Sequence, residues 1–347
     1  MYANMKRMNN DMAVSPIVAT LVLIVVAVIG AVAVGTIMGT FSTQVSKQAN
    51  AGDASSASTT HILIAGSTTV LPASQILATD YMTQHPGIQV DVQGGGSAAG
   101  MAAAGQGIAD IGAASSAGDV SNGQANYPNL VPYQIGGRAV VWIVNNHNVD
   151  SNVLTQSQLA NFIGGNTTMT AFPNINTLVQ RADASGTEST AAKWANSSYS
   201  GDNAFDNAPV LSKAVTGNAG VLSEIQGNTN GNEIGFVDLG YVLDTTGNTK
   251  SAASNVKILN VTDSVAAYSW TSGSALRTDA LTATKAMMKG TTAVAADGYP
   301  QKLTSPLYYV TLGQPTSVVQ SFIDYARSPN GGADIQSAGD FSLLELS

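Results

Sequence analysis

From residue 61 onward, short apolar runs alternate with stretches whose apolar residues recur every three or four positions. His61 to Ala65 predicts a strand, Pro72 to Met82 a helix, and Ile88 to Val92 a second strand. Ala98 to Ala104 predicts the next helix and Ile108 to Ala113 a third strand. Strand, helix, strand, helix, strand in that order argues a parallel α/β sheet. Further along, Ala139 to Val144 and Ile175 to Val179 predict buried strands, and Glu188 to Trp194 the opening of a helix. Ala219 to Gln226 and Glu233 to Leu239 mark two more elements, and Val256 to Val261 and Leu307 to Thr311 two late strands. Thr316 to Arg327 is an amphipathic helix closed by Ser328-Pro329.

The pattern differs before residue 61. Ile17 to Phe41 carries no charge, and as a helix it would be about 37 Å long, enough to cross a bilayer core of roughly 30 Å with some tilt. Lys6 and Arg7 precede the run and Lys47 follows it, which favours an inside N-terminus and an outside bulk. A secretory signal has a shorter apolar region and a small-residue cleavage site, and neither fits here. Ala27, Ala31, Gly35 and Gly39 share one face of the predicted helix, a stripe suited to self-association. Residues 51–60 read as a flexible tether.

Composition narrows the classes. At 347 residues and 44% apolar content, the chain can bury a large core. A net charge of −8 and a pI near 4.7 argue against nucleic acid as a partner. Without cysteine there are no disulfides, thiolate metal sites or cysteine nucleophile. His61, His85 and His147 lie apart with no ligand spacing, so no metal site is expected, and no cofactor is called for. No glycine run continues into Gly-Lys-Ser/Thr, and Ser185 is not in a Gly-x-Ser-x-Gly elbow, so neither a P-loop nor a hydrolase is supported.

The candidate chemistry lies at strand-to-helix corners. Arg181-Ala-Asp-Ala-Ser-Gly-Thr187 combines a guanidinium fork, a carboxylate able to brace it, two hydroxyls and the free N–H groups of a helix start. Thr68-Thr69-Val70 and Gly96-Ser97 repeat the design after the first two strands. Glycine lets backbone approach a ligand, and in open α/β sheets ligands gather at the carboxyl ends of strands. Three such corners and one arginine predict an oxyanion site.

Two resemblances sharpen these expectations. Asp11-Met-Ala-Val-Ser-Pro16 followed by the apolar run resembles archaeal type IV pilin precursors, over about forty residues. That implies a leader over 1–12, a membrane or filament helix within 13–50, and a folded part facing outward at the cell surface. The remainder resembles the phosphate-binding proteins of phosphate ABC transporters. The residues that carry the likeness are Gly66-Ser-Thr-Thr-Val70, Gln93-Gly-Gly-Gly-Ser-Ala-Ala-Gly100, Ala109-Asp-Ile-Gly112, Arg181 to Thr187, Ile234-Gly-Phe-Val237 and Phe322-Ile-Asp-Tyr-Ala-Arg-Ser-Pro329, in the family's order.

That likeness implies a two-lobed periplasmic-binding-protein fold, with lobe I from 61–136 plus 256–347 and lobe II from 137–255. It implies a non-enzymatic receptor that captures inorganic phosphate between the lobes for an ABC permease. Thr69, Val70, Ser97 and Ser115 would bind from the first lobe, and Arg181, Ser185, Gly186 and Thr187 from the second, with Asp183 bracing Arg181. Ser115 stands where some members carry an aspartate, which leaves discrimination against sulfate open. The alternatives are a pilin-like filament subunit whose outer domain keeps the fold, and a receptor for sulfate, molybdate or tungstate.

Overall fold

The computed structural model describes residues 60–347 apart from 167–168, 196–197, 265–266 and 292–297. The leader, the apolar run 17–41 and nearly all of the tether fall outside these residues. No described helix is long and apolar enough to cross a membrane.

The chain opens with β1 (Thr60–Gly66), α1 (Leu71–Gln84), β2 (Ile88–Gly94), α2 (Ser97–Gly105), β3 (Ile111–Ala114) and α3 (Ala117–Asn126). The long β4 (Leu130–Asn145) follows, then β5 (Val153–Thr155), α4 (Gln156–Ile163), β6 (Thr177–Arg181) and α5 (Gly186–Ala195). After these come β7 (Ser212–Val215), α6 (Gly217–Gly227), β8 (Glu233–Asp238), β9 (Val256–Ile258), β10 (Asn260–Thr262), β11 (Ala267–Tyr268) and α7 (Gly273–Met288). The described chain ends with β12 (Thr304–Leu312), α8 (Ser317–Arg327), α9 (Pro329–Ala338), β13 (Phe341–Ser342) and α10 (Leu343–Leu346).

Ten strands form one mixed sheet with the path β2-β1-β3-β12-β4-β8-β6-β7, and β9 and β13 pair with β4 off that path. β1 lies parallel to β2 and β3, as the alternation predicted, whereas β12 runs antiparallel to both β3 and β4. β4 joins the two ends of the sheet. Its first part pairs with β12 and its last part with β8 and β9. Val140 to Val144 are buried on both faces, which is why the sequence there is a continuous apolar run without alternation.

Two core clusters follow this division. Ile62, Ile64, Leu77, Tyr81, Tyr309 and Phe322 pack in the first half, under α1 and α8. Trp142, Trp194, Phe205, Phe236 and Ile225 pack in the second half. α8 is positioned by its stripe Val319, Phe322, Ile323 and Ala326, and the Thr316 hydroxyl caps it by accepting from the Val319 N–H.

Two expectations change at element level. The third strand begins at Ile111, not Ile108. Ile108 is exposed, and Asp110 is tied to β1 by bonds to both Leu63 N and Leu63 O. The strand expected over 256–261 is two strands in different sheets, since β9 pairs with β4 and β10 with β5. Both of those pairings are with second-half strands, so the chain around 256 still sits there. Return to the first half comes with β12.

Candidate functional site

The corners meet where the two halves of the sheet face each other. From the first half, β1 runs through Gly66 into Ser67-Thr68-Thr69-Val70 at the start of α1. The Ser67 hydroxyl accepts the N–H of Thr69 at 3.2 Å and of Val70 at 3.5 Å, which holds this turn. Val70 itself points its side chain into the core, so only its backbone faces the corner. β2 ends at Gly94-Gly95-Gly96, and Ser97 opens α2 with its hydroxyl 3.2 Å from that of Ser115, just past β3. Gly96 lies at φ +89°, and a Cβ there would come within 2.6 Å of the Ala184 carbonyl.

From the second half, β6 delivers Arg181. Its side chain is almost fully buried. The Arg181 Nε donates to Asp183 Oδ1 at 3.0 Å and Nη2 pairs with Asp183 Oδ2, so the guanidinium is braced by its own loop. The same Nη2 donates to Thr68 Oγ1 of the other half at 2.6 Å, and Nη1 has no hydrogen-bond partner. Asp183 also accepts the Gly217 N–H at 2.9 Å, which locks the brace to the start of α6.

Ser185, Gly186 and Thr187 open α5. The Ser185 hydroxyl accepts the N–H of Thr187 and Glu188, an N-terminal cap. Gly186 approaches the first half so closely that a Cβ would collide with the Asp119 carboxylate and the Ser115 hydroxyl. The Thr187 and Thr69 hydroxyls lie 2.7 Å apart across the halves. The nine residues expected at the site therefore converge on one point. Within it, the hydroxyl of Ser185 and the N–H groups of Thr69 and Val70 are engaged in holding the corners.

Several residues at this point were not singled out from sequence. Asn218 donates to Thr69 Oγ1 at 2.9 Å and accepts the Asp238 N–H at 3.1 Å. Its signal was another Thr-Gly corner, Thr216-Gly217, preceding a helix. The Tyr241 hydroxyl donates to the Thr68 carbonyl at 2.8 Å. Glu188 accepts the N–H of Arg181 and of Phe205, both at 2.9 Å, and burial raises its pKa to about 7.

A second charged cluster lies beneath the first. Arg138, fully buried on β4, donates to the Ser115 carbonyl at 2.9 Å, to Asp238 at 3.5 Å and to Thr190 at 3.1 Å. It thus ties Ser115 to the end of β8 and the middle of α5. Asp340 lies beside Asp238, and burial together with that neighbour pushes its carboxyl well above the usual range. The histidines lie elsewhere: His61 is 3.6 Å from Asp91, His85 stacks on Tyr81 and His147 bonds Asn145. Among the described residues, no group of three or more acidic, histidine or cysteine side chains could hold a metal ion.

Chemically, the arrangement presents a buried guanidinium, hydroxyls and helix-start N–H groups to a small region shared by both halves. Such a set suits a compact anion that has shed its water.

No curated protein matches the chain. Among solved structures, the chain is similar to a Clostridium perfringens protein assigned as a phosphate ABC transporter substrate-binding protein, with bound phosphate. That match has 20% identity, covers 81% of this chain and 99% of that one, and has a TM-score of 0.59. An ABC-type phosphate transport receptor from Vibrio cholerae matches at 20% identity over 81% and 99%, with a TM-score of 0.52. The ancestral soluble variant of the human phosphate binding protein matches at 16% over 82% and 92%, with a TM-score of 0.61. These likenesses show a shared fold, and the proteins are named for binding, not for catalysis. The model of the PBP superfamily domain matches residues 51–330, most of the chain, and the protein therefore belongs to the PBP, or periplasmic-binding-protein, superfamily.

Proposed function

We propose that this protein is a phosphate receptor that clasps inorganic phosphate between two lobes and hands it to an ABC permease. The observation that carries the reading is Arg181, buried, braced by Asp183, and retaining an unpartnered Nη1 where hydroxyls of both halves converge. A charged donor held in place beforehand loses little freedom on binding, and an anion removed from water needs such a donor. The solved proteins of the same fold that are named for phosphate support the choice of anion.

Thr69, Val70, Ser97 and Ser115 are the first-lobe contacts in this reading, and Arg181, Ser185, Gly186 and Thr187 the second-lobe contacts. Lobe I from 61–136 plus 256–347 and lobe II from 137–255 is the division proposed from sequence. The pairing of β9 and β10 favours a later return. The charge-free run 17–41 is the proposed anchor that keeps the receptor at the cell surface, and its small-residue stripe the proposed self-association face.

Calorimetric titration of the full chain with phosphate, sulfate and molybdate tests the reading. Saturable binding of phosphate in preference to the other two is expected. Binding of molybdate or sulfate alone would reassign the ligand.

A further inference from the structure

Asp119 and Asp202 come from opposite halves and meet beside the corner of Gly186. Asp119, on the first turn of α3, is almost wholly buried. Its Oδ2 accepts the Ser115 N–H at 2.9 Å, and its Oδ1 has no hydrogen-bond partner. Asp202 lies in the second half between α5 and β7, and its carbonyl accepts the Ser185 N–H at 2.8 Å. Both carboxyls line one cavity with Asn122 and Tyr127, and the Oδ1 of Asp202, like that of Asp119, is buried without a hydrogen-bond partner. Two buried carboxylates beside one cavity repel each other, and a proton on one of them removes that repulsion.

We propose that Asp119 and Asp202 form a proton-operated latch between the two halves: the carboxyl of Asp202 donates to the Asp119 carboxylate when the halves meet, and loss of that proton drives them apart.

The surroundings favour a proton on Asp202. Burial, then the Asp119 carboxylate, raises the Asp202 pKa to about 7, with Glu188 adding to the effect and the Ser189 hydroxyl opposing it. Asp206, next along the same segment, is a further acid facing Glu188. Arg138 is the cation that acts on Asp119, and it is already engaged with Asp238, Thr190 and the Ser115 carbonyl. The sign follows. When the halves are apart, Asp202 returns to the ordinary aspartate range, so closing takes up a proton between about pH 4 and pH 7. Closure is favoured at the acidic end, weakens by up to about tenfold per pH unit through that window, and levels off above it.

The latch requires only that the halves meet, so its test uses no anion and is independent of the phosphate reading. The chain has no native cysteine, so spin labels at Ala125→Cys and Lys193→Cys of the full chain report the separation of the halves. The short-distance population should fall several-fold from pH 5 to pH 8. In Asp202→Asn the amide donates to Asp119 at every pH, so the population should be flat across the range. An identical pH response in wild type and Asp202→Asn, or none in wild type, would overturn the latch. So would closure that depends on added calcium or magnesium and is lost on chelation. A carbon-13 titration of wild type, with the Asp202 carboxyl assigned by its absence in Asp202→Asn, should give a midpoint near pH 7, and an Asp202 carboxyl with no transition between pH 6 and pH 8 would refute the proposal.

Discussion

The Thr69 and Thr187 hydroxyls lie 2.7 Å apart, one at the start of α1 and the other at the start of α5, and Asn218 donates to the same Thr69 oxygen at 2.9 Å. Two helix starts from opposite halves thus converge on one hydroxyl pair, and their partial positive ends point to the same region. Sequence separation between the two threonines is large. The fold, by way of β4, brings them together.

Gly186→Ala should weaken phosphate binding roughly tenfold or more, about 1.4 kcal/mol. The added methyl would collide with the Asp119 carboxylate and the Ser115 hydroxyl, so the halves could not meet. Isothermal calorimetry checks the affinity, and circular dichroism should show the fold retained. Unchanged affinity would mean that Gly186 does not approach the first half in solution.

Arg181→Lys should also bind poorly. An ammonium cannot hold Asp183 through two nitrogens while reaching Thr68, as the guanidinium does. The expected loss is about 2 kcal/mol or more, at the low end for a buried charged partner. A lysine variant with wild-type affinity would show that charge alone, without the fork, is sufficient.

Ser115→Asp should raise the ratio of phosphate to sulfate affinity. A carboxylate there can accept the proton of hydrogen phosphate, while it meets sulfate lone pair to lone pair. Competition titrations at fixed pH measure the ratio. A ratio that stays the same would remove Ser115 from the ligand.

Arg138→Met should destabilise the protein by about 3–5 kcal/mol, because Asp238 would lose its buried partner beside Asp340. Denaturant unfolding gives the value. A change below about 1 kcal/mol would mean that the aspartate pair is neutralised without the arginine.

The glycine and hydroxyl corners were legible in the sequence because their chemistry is local. Gly94-Gly95-Gly96 before Ser97, and Ser185-Gly186-Thr187 after an apolar strand, each carry their own signal. Arg181 was legible for the same reason, with its brace only two residues away. Asn218 was not, since its role depends on Gly217 at φ +73° packing against Thr68 from the opposite half. Asp119 reads locally as an acid favouring the first turn of a helix, which it is, and its meeting with Asp202 has no sequence periodicity. The split at 256–261 was hidden because Val256 to Val261 carries no glycine or proline to mark a break, and only pairing with different sheets separates β9 from β10.

If Arg181 holds phosphate between the two halves, its removal must show in an isothermal titration of the full chain with phosphate. The wild-type chain should bind saturably and one to one, and Arg181→Ala should lose about 2–5 kcal/mol or more with its circular dichroism spectrum unchanged. Absence of phosphate binding in the wild type, or wild-type affinity in Arg181→Ala, would contradict it.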